Sequence, residues 1–397
     1  MSYMTDGSLR YDVIWCCSIQ EIDRSAWDGL SRGIYTPFLS WAWLYLLEKS
    51  KSVSPTAGWQ PCHLAVYRSG RLIGAAPLYI KDQSSEGEFV FDQPWAQLAA
   101  EMRVPYFPKL VGMSPFTPIG AYSFLLHPEE DRSWLIIHMQ EEIDRMCRDK
   151  GIAGCHYNFL APGWGRELED GGFVPWVHPG FMWRNPGYTD FGHFLSCFRS
   201  SRRKNIKRER KALADQDIRI EALYGDSIEE KHLAWMHGFY AWTNGRYFPW
   251  SCKYLTQEFF LGLRDNEIRQ NLLLFAAYES GKNEPVGMSM LVFEGNCLFG
   301  RYWGGREGIP FLHFNLCYYQ PIQWAIQNGM KWFDPGMGGE HKLYRGFELV
   351  ANYSLHKLYA PGMQQIMDVY LDEFNMFQKK RIQEVNQELP LKKHVQI

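Results

Sequence analysis

The amino-acid sequence predicts an α/β protein that contains two consecutive copies of one domain. Its 397 residues exceed what a single hydrophobic core usually organises. A strand–turn–strand pattern occurs at residues 64–78 and again at residues 275–291. In each copy, a segment with apolar residues at helical spacing follows the hairpin, ends at a glycine and leads into another strand. The order of elements is therefore duplicated.

Each predicted hairpin consists of an apolar run, a Ser-Gly turn and a second apolar run. The first hairpin turns at Ser69-Gly70 and the second at Ser280-Gly281, after which the second copy carries two inserted residues. One short match of this kind arises easily by chance. The shared order and spacing of the flanking elements favours a duplication instead.

The helix of the first copy is predicted from apolar residues that recur every three to four positions over residues 135–147. It ends at Gly151, because glycine is the usual residue just beyond a helix C-terminus. A strand is predicted directly afterwards, at residues 155–160.

The helix of the second copy is predicted to start with Pro310 at its first position and to end at Gly329. Pro321 lies inside this helix and should kink it, because proline lacks a backbone donor. The following strand is predicted at residues 332–334.

Turn-forming residues at 185–187 mark a predicted domain boundary. We expect an N-terminal domain at residues 1–187, a second domain at residues 188–362 and a C-terminal helical tail at residues 363–397. The second domain would bear the active site and open with a basic linker helix.

Composition and charge narrow the classes of function. The formal net charge is -2, so the whole molecule does not attract polyanions, and no DNA partner is expected. Neither a signal peptide nor a run of about 18 apolar residues is present, which predicts a cytoplasmic protein without a membrane span. The nine cysteines form no C-x-x-C pair, so reduced, buried thiols are expected rather than disulfides or zinc ligands.

Several catalytic motifs are missing from the sequence. There is no GxxxxGK[ST] phosphate loop, no HExxH pair and no GxSxG elbow. Kinase, zinc hydrolase and serine hydrolase activities are therefore disfavoured, and no metal is expected.

One local basic patch stands out at residues 199–211, where eight basic residues accompany a single acidic one, Glu209. The pattern predicts a helix. Arg202 and Arg203 are candidates to contact tRNA phosphates or an anionic nucleotide-linked acceptor. A solvated linker helix is the alternative explanation.

Three segments resemble a known family. They are residues 194–210, residues 301–320, and Phe333-Asp-Pro-Gly-Met-Gly-Gly-Glu-His-Lys-Leu-Tyr-Arg-Gly-Phe347, which is the most specific. They resemble the FemAB-like family, in a bacterial branch labelled N-acyltransferase or peptidoglycan biosynthesis. The resemblance implies two tandem GNAT-like (acyl-CoA N-acyltransferase) domains, each a mixed sheet flanked by helices, with the chemistry in the second. Asp334 departs from the glutamate expected in the signature.

The resemblance implies an acyltransferase. The first hypothesis is an N-acyltransferase that transfers an acyl group from acyl-CoA to a small-molecule or peptide amine. The alternative is an aminoacyl-tRNA-dependent transferase of the FemX kind, acting on an amine of a peptide or cell-wall precursor. A third possibility is a non-catalytic binding protein that retained the duplicated fold.

Acyl transfer to an amine requires a base for the amine proton and stabilisation of an oxyanion. His341 is the first candidate base because imidazole has an ordinary pKa near neutrality, and Glu340 is the alternative. If this stretch is extended, the two side chains point to opposite faces. Tyr302 is the third catalytic candidate, as a donor to the oxyanion or to the leaving thiolate. Pairing of Glu340 with Lys342 or Arg345 would instead give the stretch a structural role.

Substrate binding is predicted for residues around this stretch. Lys342 and Arg345 are candidates to hold a phosphate or a carboxylate, since flanking glycines permit close approach of a ligand. Trp303 could form an aromatic wall and His313 could face the cleft, but core packing of Trp303 and a structural role for His313 are the favoured explanations. The signature places Asp334 with them.

A glycine-rich segment precedes the second-copy helix, and free N–H groups at a helix start attract phosphate. The GNAT resemblance implies that the pyrophosphate of the donor lies here. The predicted contacts are Gly304, Gly305, Arg306 and Gly308.

Overall fold

The computed structural model describes residues 11–83, 87–246 and 253–392. They form two compact units, each assembled from separate stretches of the chain. Unit 1 comprises residues 1–34, 38–178 and 352–378, and unit 2 comprises residues 35–37, 179–351 and 379–397. The sequence-based boundaries at residues 187 and 362 stay a prediction of where each copied segment ends.

Among the described residues, eight strands and five α-helices lie wholly within unit 1. The strands are β1 (Tyr11–Cys16), β2 (Gln60–Pro61), β3 (His63–Arg68), β4 (Arg71–Ala76), β5 (Leu78–Lys81), β6 (Lys109–Gly112), β7 (Leu125–Leu126) and β8 (Gly154–Tyr157). The helices are α1 (Arg24–Ser31), α2 (Trp41–Lys49), α3 (Gln93–Met102), α4 (Arg132–Asp149) and α5 (Arg166–Glu169).

The sheets of unit 1 confirm the elements predicted for the first copy. Strands β3 and β4 form the antiparallel hairpin, within a sheet of order β1-β3-β4-β7. Strand β5 pairs antiparallel with β6, and β6 pairs parallel with β8. Helix α4 ends where Gly151 takes a φ of 64°, and Ile152 N–H bonds Cys147 O at 2.8 Å. This is the glycine-dependent helix end that the sequence predicts.

Unit 2 holds most of the remaining elements, and the chain passes between the units within three of them, β9, β15 and α12. The strands are β9 (Val174–Arg184), β10 (Ile218–Tyr224), β11 (Leu272–Glu279), β12 (Pro285–Glu294), β13 (Cys297–Gly305), β14 (Trp332–Asp334) and β15 (Glu348–Leu358). The helices are α6 (Phe191–Ser196), α7 (Ser200–Ala214), α8 (Glu230–Gly245), α9 (Gln257–Gly262), α10 (Leu312–Phe314), α11 (Gln320–Gln327) and α12 (Pro361–Gln387).

Unit 2 repeats the antiparallel hairpin and the parallel pair of unit 1, but they lie in one sheet in unit 2 and in two sheets in unit 1. Its sheet has the order β10-β11-β12-β13-β14-β9, in which β11 and β12 form the predicted second hairpin. Strands β12 and β13 are antiparallel, whereas β13 and β14 are parallel. Both copies therefore contain a mixed sheet with one parallel pair reached through a helix, as the duplication predicts. The basic segment forms helix α7, also as predicted.

The second-copy helix differs from its prediction at its start. Pro310 is not the first helical residue, because Phe311 adopts a left-handed φ of 60° and α10 begins at Leu312. The proposed helix start at residue 310 is therefore wrong. The end is right: Gly329 takes a φ of 69° directly after α11.

A π-helical turn at Asn315–Tyr319 interrupts this helix just before Pro321. Gln320 N–H bonds Asn315 O, five residues back. The next donor in this pattern would come from residue 321, which is proline and has no N–H to offer Leu316 O. The buried Ser289 hydroxyl donates to that oxygen at 2.7 Å. The predicted distortion at Pro321 is thus a π turn held by a neighbouring strand.

Two further predictions concern the cysteines and membrane spans. The eight described cysteines are free thiols, and all except Cys17 and Cys317 are buried; Cys252 lies outside the described residues. Within the described ranges, no helix is both long and apolar enough to cross a membrane.

Candidate functional site

A cavity of about 260 Å³ opens in unit 2 where two parallel strands separate. Strands β13 and β14 pair only from Cys297–Trp332 to Phe299–Asp334. Beyond that point β13 continues, whereas the segment that follows β14 turns away from it at Pro335-Gly336. The remaining sides are closed by the helical segment 312–319 and by the loop at residues 335–339, which we call the glycine-rich loop.

An irregular pairing of β12 with β13 shapes one wall of the cavity. Met290 lies opposite Tyr302, but the next residue, Leu291, lies opposite Gly300, so Arg301 is an extra residue in β13. A bulge of this kind bends a strand and redirects its side chains. Arg301, Tyr302 and the following Trp303 all line the cavity.

The signature segment is not extended, contrary to one assumption made from the sequence. Residues Glu340–Arg345 form a 3₁₀ helix that starts after Gly339, whose φ is 85°. In this helix His341 faces the cavity, whereas Glu340 does not line it. The Glu340 side chain is 76% exposed and accepts a hydrogen bond from Arg381 at 3.0 Å. The pairing of Glu340 with Lys342 or Arg345 is therefore not observed.

His341 forms a hydrogen-bonded pair with Tyr318, with 3.0 Å between the imidazole Nε2 and the phenol oxygen. Burial, reinforced by the positive charges of Arg345 and Lys342, lowers the pKa of His341 to about 4. Burial raises the pKa of Tyr318, so its hydroxyl stays protonated and donates to Nε2. His341 is therefore a neutral imidazole at neutral pH.

Lys342 places a buried positive charge at the cavity wall. Its side chain is only 2% exposed, and Nζ donates to Gly336 O at 2.7 Å and to Met337 O at 3.0 Å. Among the described residues no carboxylate forms an ion pair with it. Burial lowers the pKa of Lys342 to about 8, partly offset by the charge of Asp334. The ammonium group thus fastens the glycine-rich loop and remains largely charged at neutral pH.

Asp334 lies beneath the loop and not among the residues that line the cavity. It is 7% exposed, and its Oδ1 accepts from Gly336 N–H at 2.8 Å. Burial raises the pKa of Asp334 to about 6. The hydrogen bond from Gly336 N–H to the Asp334 carboxylate orients the glycine-rich loop.

Trp303 and His313 form a stacked pair in the cavity wall, with ring centroids 4.2 Å apart. Burial lowers the pKa of His313 to about 3, so this imidazole is also neutral. The π turn brings Tyr318, five residues further on, to 5.3 Å from His313 between ring centroids. Burial raises the pKa of Tyr302, which keeps its hydroxyl protonated as well.

The structure thus brings five of the predicted residues together: Tyr302, Trp303, His313, His341 and Lys342. Three other candidates lie elsewhere. Arg345 is 3% exposed and forms an ion pair with Glu209 at 2.7 Å. Arg202 and Arg203 both belong to α7, and the guanidinium of Arg202 lies over the ring of Tyr344.

The residues predicted to hold the donor's pyrophosphate lie at the far end of β13. A side chain at Gly304 would meet Phe239 O at 2.1 Å, so this glycine serves close packing against α8. Gly305 and Arg306 line a separate groove of about 530 Å³, and Arg306 pairs with Glu279. Gly308 lies in the turn before Phe311, with a φ of 79°.

The structure adds residues that the sequence did not single out for chemistry. Tyr318 falls inside the helix predicted for the second copy, and the π turn that brings it against His341 leaves no periodic signal in the sequence. Cys317 and Ser289 also line the cavity. The described residues contain no group of three or more His, Cys, Asp or Glu side chains arranged to hold a metal ion.

Aromatic side chains pack closely against the end of the parallel pair in unit 1. A Cβ atom at Gly112, the last residue of β6, would lie 2.3 Å from the Tyr122 hydroxyl. Tyr122 is 2% exposed, stacks on Tyr157 and donates to Pro77 O at 3.2 Å.

Comparison with solved structures defines the class of fold. FemX aligns over 90% of this chain and 100% of its own, with 11% identity and a TM-score of 0.52. The C-terminal domain of a putative lysylphosphatidylglycerol synthetase from Agrobacterium fabrum aligns over 89% and 97%, with 9% identity and a TM-score of 0.51. A tandem GNAT protein from the clavulanic acid biosynthesis pathway aligns over 88% and 98%, with 9% identity and a TM-score of 0.45. The protein has the mixed α/β tandem GNAT fold.

The family follows from the sequence itself. The FemAB-like family model, described as peptidoglycan biosynthesis/recognition, matches residues 18–393. The chain belongs to the FemAB-like family, as the three signature segments indicated. No curated protein sequence matches it significantly.

Proposed function

We propose that the protein is an N-acyltransferase that joins an acyl group to an amine in the cavity of unit 2. The observation that carries the proposal is the meeting of a neutral His341, a buried Lys342 cation and the Tyr302 and Tyr318 hydroxyls around one opening. A proton acceptor, a positive charge and hydroxyl donors are the groups that acyl transfer to an amine requires. Membership of the FemAB-like family supports a transferase.

In the proposed reaction the amine nitrogen attacks the acyl carbonyl carbon, and a C–N bond forms. The nitrogen then carries a positive charge and is acidic, so its proton passes to the Tyr318 hydroxyl while that hydroxyl gives its own proton to Nε2 of His341, the base. The Lys342 ammonium stabilises the negative charge on the carbonyl oxygen. The C–S or C–O bond to the donor breaks, and Tyr302 supplies a proton to the leaving group.

Acyl-CoA is the proposed donor, with the cytoplasm as the proposed compartment. The groove at Gly305 and Arg306 supports a nucleotide-bearing donor, because Trp235 and Trp242 line it and offer faces on which adenine can stack. Gly304 and Gly308 flank this groove in the chain. Arg306 would have to exchange its contact with Glu279 for the donor's phosphates.

Aminoacyl-tRNA is the second candidate donor, and the exposed basic side chains of α7 favour it. Arg202 and Arg203 are partly exposed, and Lys204, Lys207 and Arg208 are exposed on the same helix. Such a row of cations suits a phosphate backbone. With this donor the acceptor amine would belong to a peptide or cell-wall precursor, in keeping with the family's description.

Ligand-induced stabilisation distinguishes these possibilities. We expect the midpoint of thermal unfolding to rise with acetyl-CoA or a longer acyl-CoA, because a ligand that binds only the folded state stabilises it. A rise with charged tRNA alone would favour the second donor. If neither donor raises the midpoint, the protein is a non-catalytic member of the fold and the proposal is wrong.

Replacing His341 with glutamine is expected to lower kcat by about 10²–10⁴-fold, since glutamine cannot accept the amine proton. The matched control is Glu340→Gln, because Glu340 lies outside the cavity and should leave the rate unchanged. The measurement is the rate of donor consumption in the presence of the amine acceptor. Full activity in the folded His341→Gln variant would exclude this base.

Replacing Gly339 with alanine should displace His341 without changing its chemistry. The new Cβ would lie 2.3 Å from the His341 imidazole, and the residue has a φ of 85°. Gly338→Ala is a matched control, because its φ is 74° but nothing lies within 4 Å of its Cβ. Both variants cost about 1–2 kcal/mol of backbone strain. We expect only Gly339→Ala to lose at least about tenfold in kcat, and equal rates would contradict the assignment.

A further inference from the structure

A second cleft in unit 2, of about 400 Å³, lies beside helix α7 and is separate from the cavity described above. Lys207, Arg210 and Lys211 of α7 border it. Apolar side chains line much of the rest: Leu195, Leu213, Ile218 and Ile220. The cleft therefore combines positive charge with an apolar surface.

The charge of Arg210 is not neutralised. Its side chain is partly buried, its guanidinium lies 4.0 Å from the ring centroid of Phe191, and Nη2 donates to Gln323 Oε1 at 2.6 Å. No carboxylate pairs with Arg210 in the part of the chain that the structure describes. Burial lowers the pKa of Arg210, but an arginine stays charged at neutral pH.

Glu209, the acidic residue within the basic segment, does not neutralise the positive charges at this cleft. Glu209 is buried and accepts hydrogen bonds from Arg345 and Tyr319, so its charge is committed elsewhere. Lys211 pairs with Asp215 at 3.5 Å, but both side chains are exposed and the pair is weak. Lys207 has no ion-pair partner among the described residues. The cleft thus presents net positive charge to a ligand.

We propose that this cleft binds a small amphiphilic anion, a carboxylate or phosphate attached to an apolar chain. The anionic group would pair with Arg210 and Lys207, and the chain would cover the apolar surface formed by the exposed Ala214 and the partly exposed Ile220, above the buried Leu213 and Ile218. A nucleic-acid backbone offers no apolar group for that surface. A small anion without a chain would likewise leave it in water.

The cleft also touches the helix that builds the catalytic cavity. Asn315 and Gln320 line the cleft, whereas His313, Cys317 and Tyr318 of the same segment line the cavity. Asn315 is held by hydrogen bonds from its side-chain amide to Glu209 O and Phe311 O, both at 3.0 Å. A ligand in the cleft would therefore contact the π turn from the side opposite to His341. This site stands independently of the proposed reaction.

The test is isothermal titration of the full chain with octanoate and with octyl phosphate, which share the chain and differ in the anionic group. Octanamide provides the same chain without charge, and acetate and inorganic phosphate provide charge without the chain. We expect the two amphiphiles to bind at least tenfold more tightly than any of these three. Octanamide binding as tightly as octanoate would overturn the proposal, and so would an absence of binding by both amphiphiles.

Two variants locate the site. Arg210→Gln and Lys207→Gln are each expected to weaken octanoate or octyl phosphate binding at least threefold, whereas Arg208→Gln, on the exposed side of the same helix, should not. Lys207 is exposed, so its replacement should not affect folding if Arg210→Gln does. Unchanged binding in the folded variants would overturn the assignment. Loss of tRNA binding in Arg210→Gln, with octanoate binding retained, would assign the cleft to nucleic acid instead.

Discussion

Replacing Glu209 with alanine is expected to lower the free energy of unfolding by about 3–5 kcal/mol. Glu209 is 6% exposed and is the ion-pair partner of Arg345, which is 3% exposed. It also accepts a hydrogen bond from the buried Tyr319. Removing the carboxylate leaves the guanidinium in the interior without a counter-charge, and the cost of that state dominates the effect.

Urea unfolding at pH 7 measures this change. The matched control is Glu221→Ala, which removes a carboxylate paired with Arg219 at 2.9 Å where both side chains are 44–51% exposed. That pair should contribute about 1 kcal/mol or less. A loss of under about 1 kcal/mol in Glu209→Ala would show that Arg345 finds solvent or another partner.

The stability of the protein is expected to fall steeply as the pH drops below about 6.5. Unit 1 contains a chain of hydrogen-bonded histidines: His156 Nδ1 lies 2.8 Å from His356 Nδ1, and Ser354 Oγ lies 2.7 Å from both His356 Nε2 and His178 Nε2. Burial lowers the pKa of His178 to about 4 and that of His156 to about 3, and it also lowers the pKa of His356.

The direction of these pKa shifts determines how the free energy of unfolding changes with pH. In the unfolded chain the histidines bind protons below an ordinary pKa of about 6.5, whereas the folded protein keeps them neutral to much lower pH. Protons therefore favour the unfolded state from about pH 6.5 down to the folded pKa values. The nearby Lys109 charge lowers the pKa of His156 further, while Asp92 opposes it. Each such histidine contributes up to about 1.4 kcal/mol per pH unit in this window.

The contribution of one histidine can be isolated with His156→Gln, since His156 is 2% exposed and glutamine does not titrate. We expect the slope of unfolding free energy against pH, measured by urea unfolding between pH 6.5 and 4.5, to decrease by about 1.4 kcal/mol per unit. His193→Gln, at an exposed position, should leave the slope unchanged. An unchanged slope in His156→Gln would mean that this histidine is already protonated in the folded protein.

Local sequence signals predicted the elements whose structure depends on neighbouring residues. The Ser-Gly turns and the glycines after the helices act through backbone conformation within a few residues, and both appear as expected, for example at Gly151. The same holds for the order of strands, because a duplicated order of elements implies a duplicated pairing.

The contacts that the sequence did not predict depend on distant partners. The π turn forms because Pro321 lacks a donor and Ser289, from another strand, satisfies Leu316 O. Arg345 was predicted to bind substrate, but its partner Glu209 lies 136 positions earlier in the chain. Spacing within a segment contains no information about either contact. For the same reason the separation of His341 from Glu340 required knowledge of the 3₁₀ helix.

The passage of the chain between the two units also limits how the polypeptide can be divided. Leu355–Leu358, which follow residue 187 in the chain, pair with Gly154–Tyr157 within unit 1. A fragment that stops after residue 187 would lack this strand, and a fragment that starts at residue 188 would contain the strand without its partner β8. A single cut at the predicted boundary would therefore break a pair of strands in unit 1.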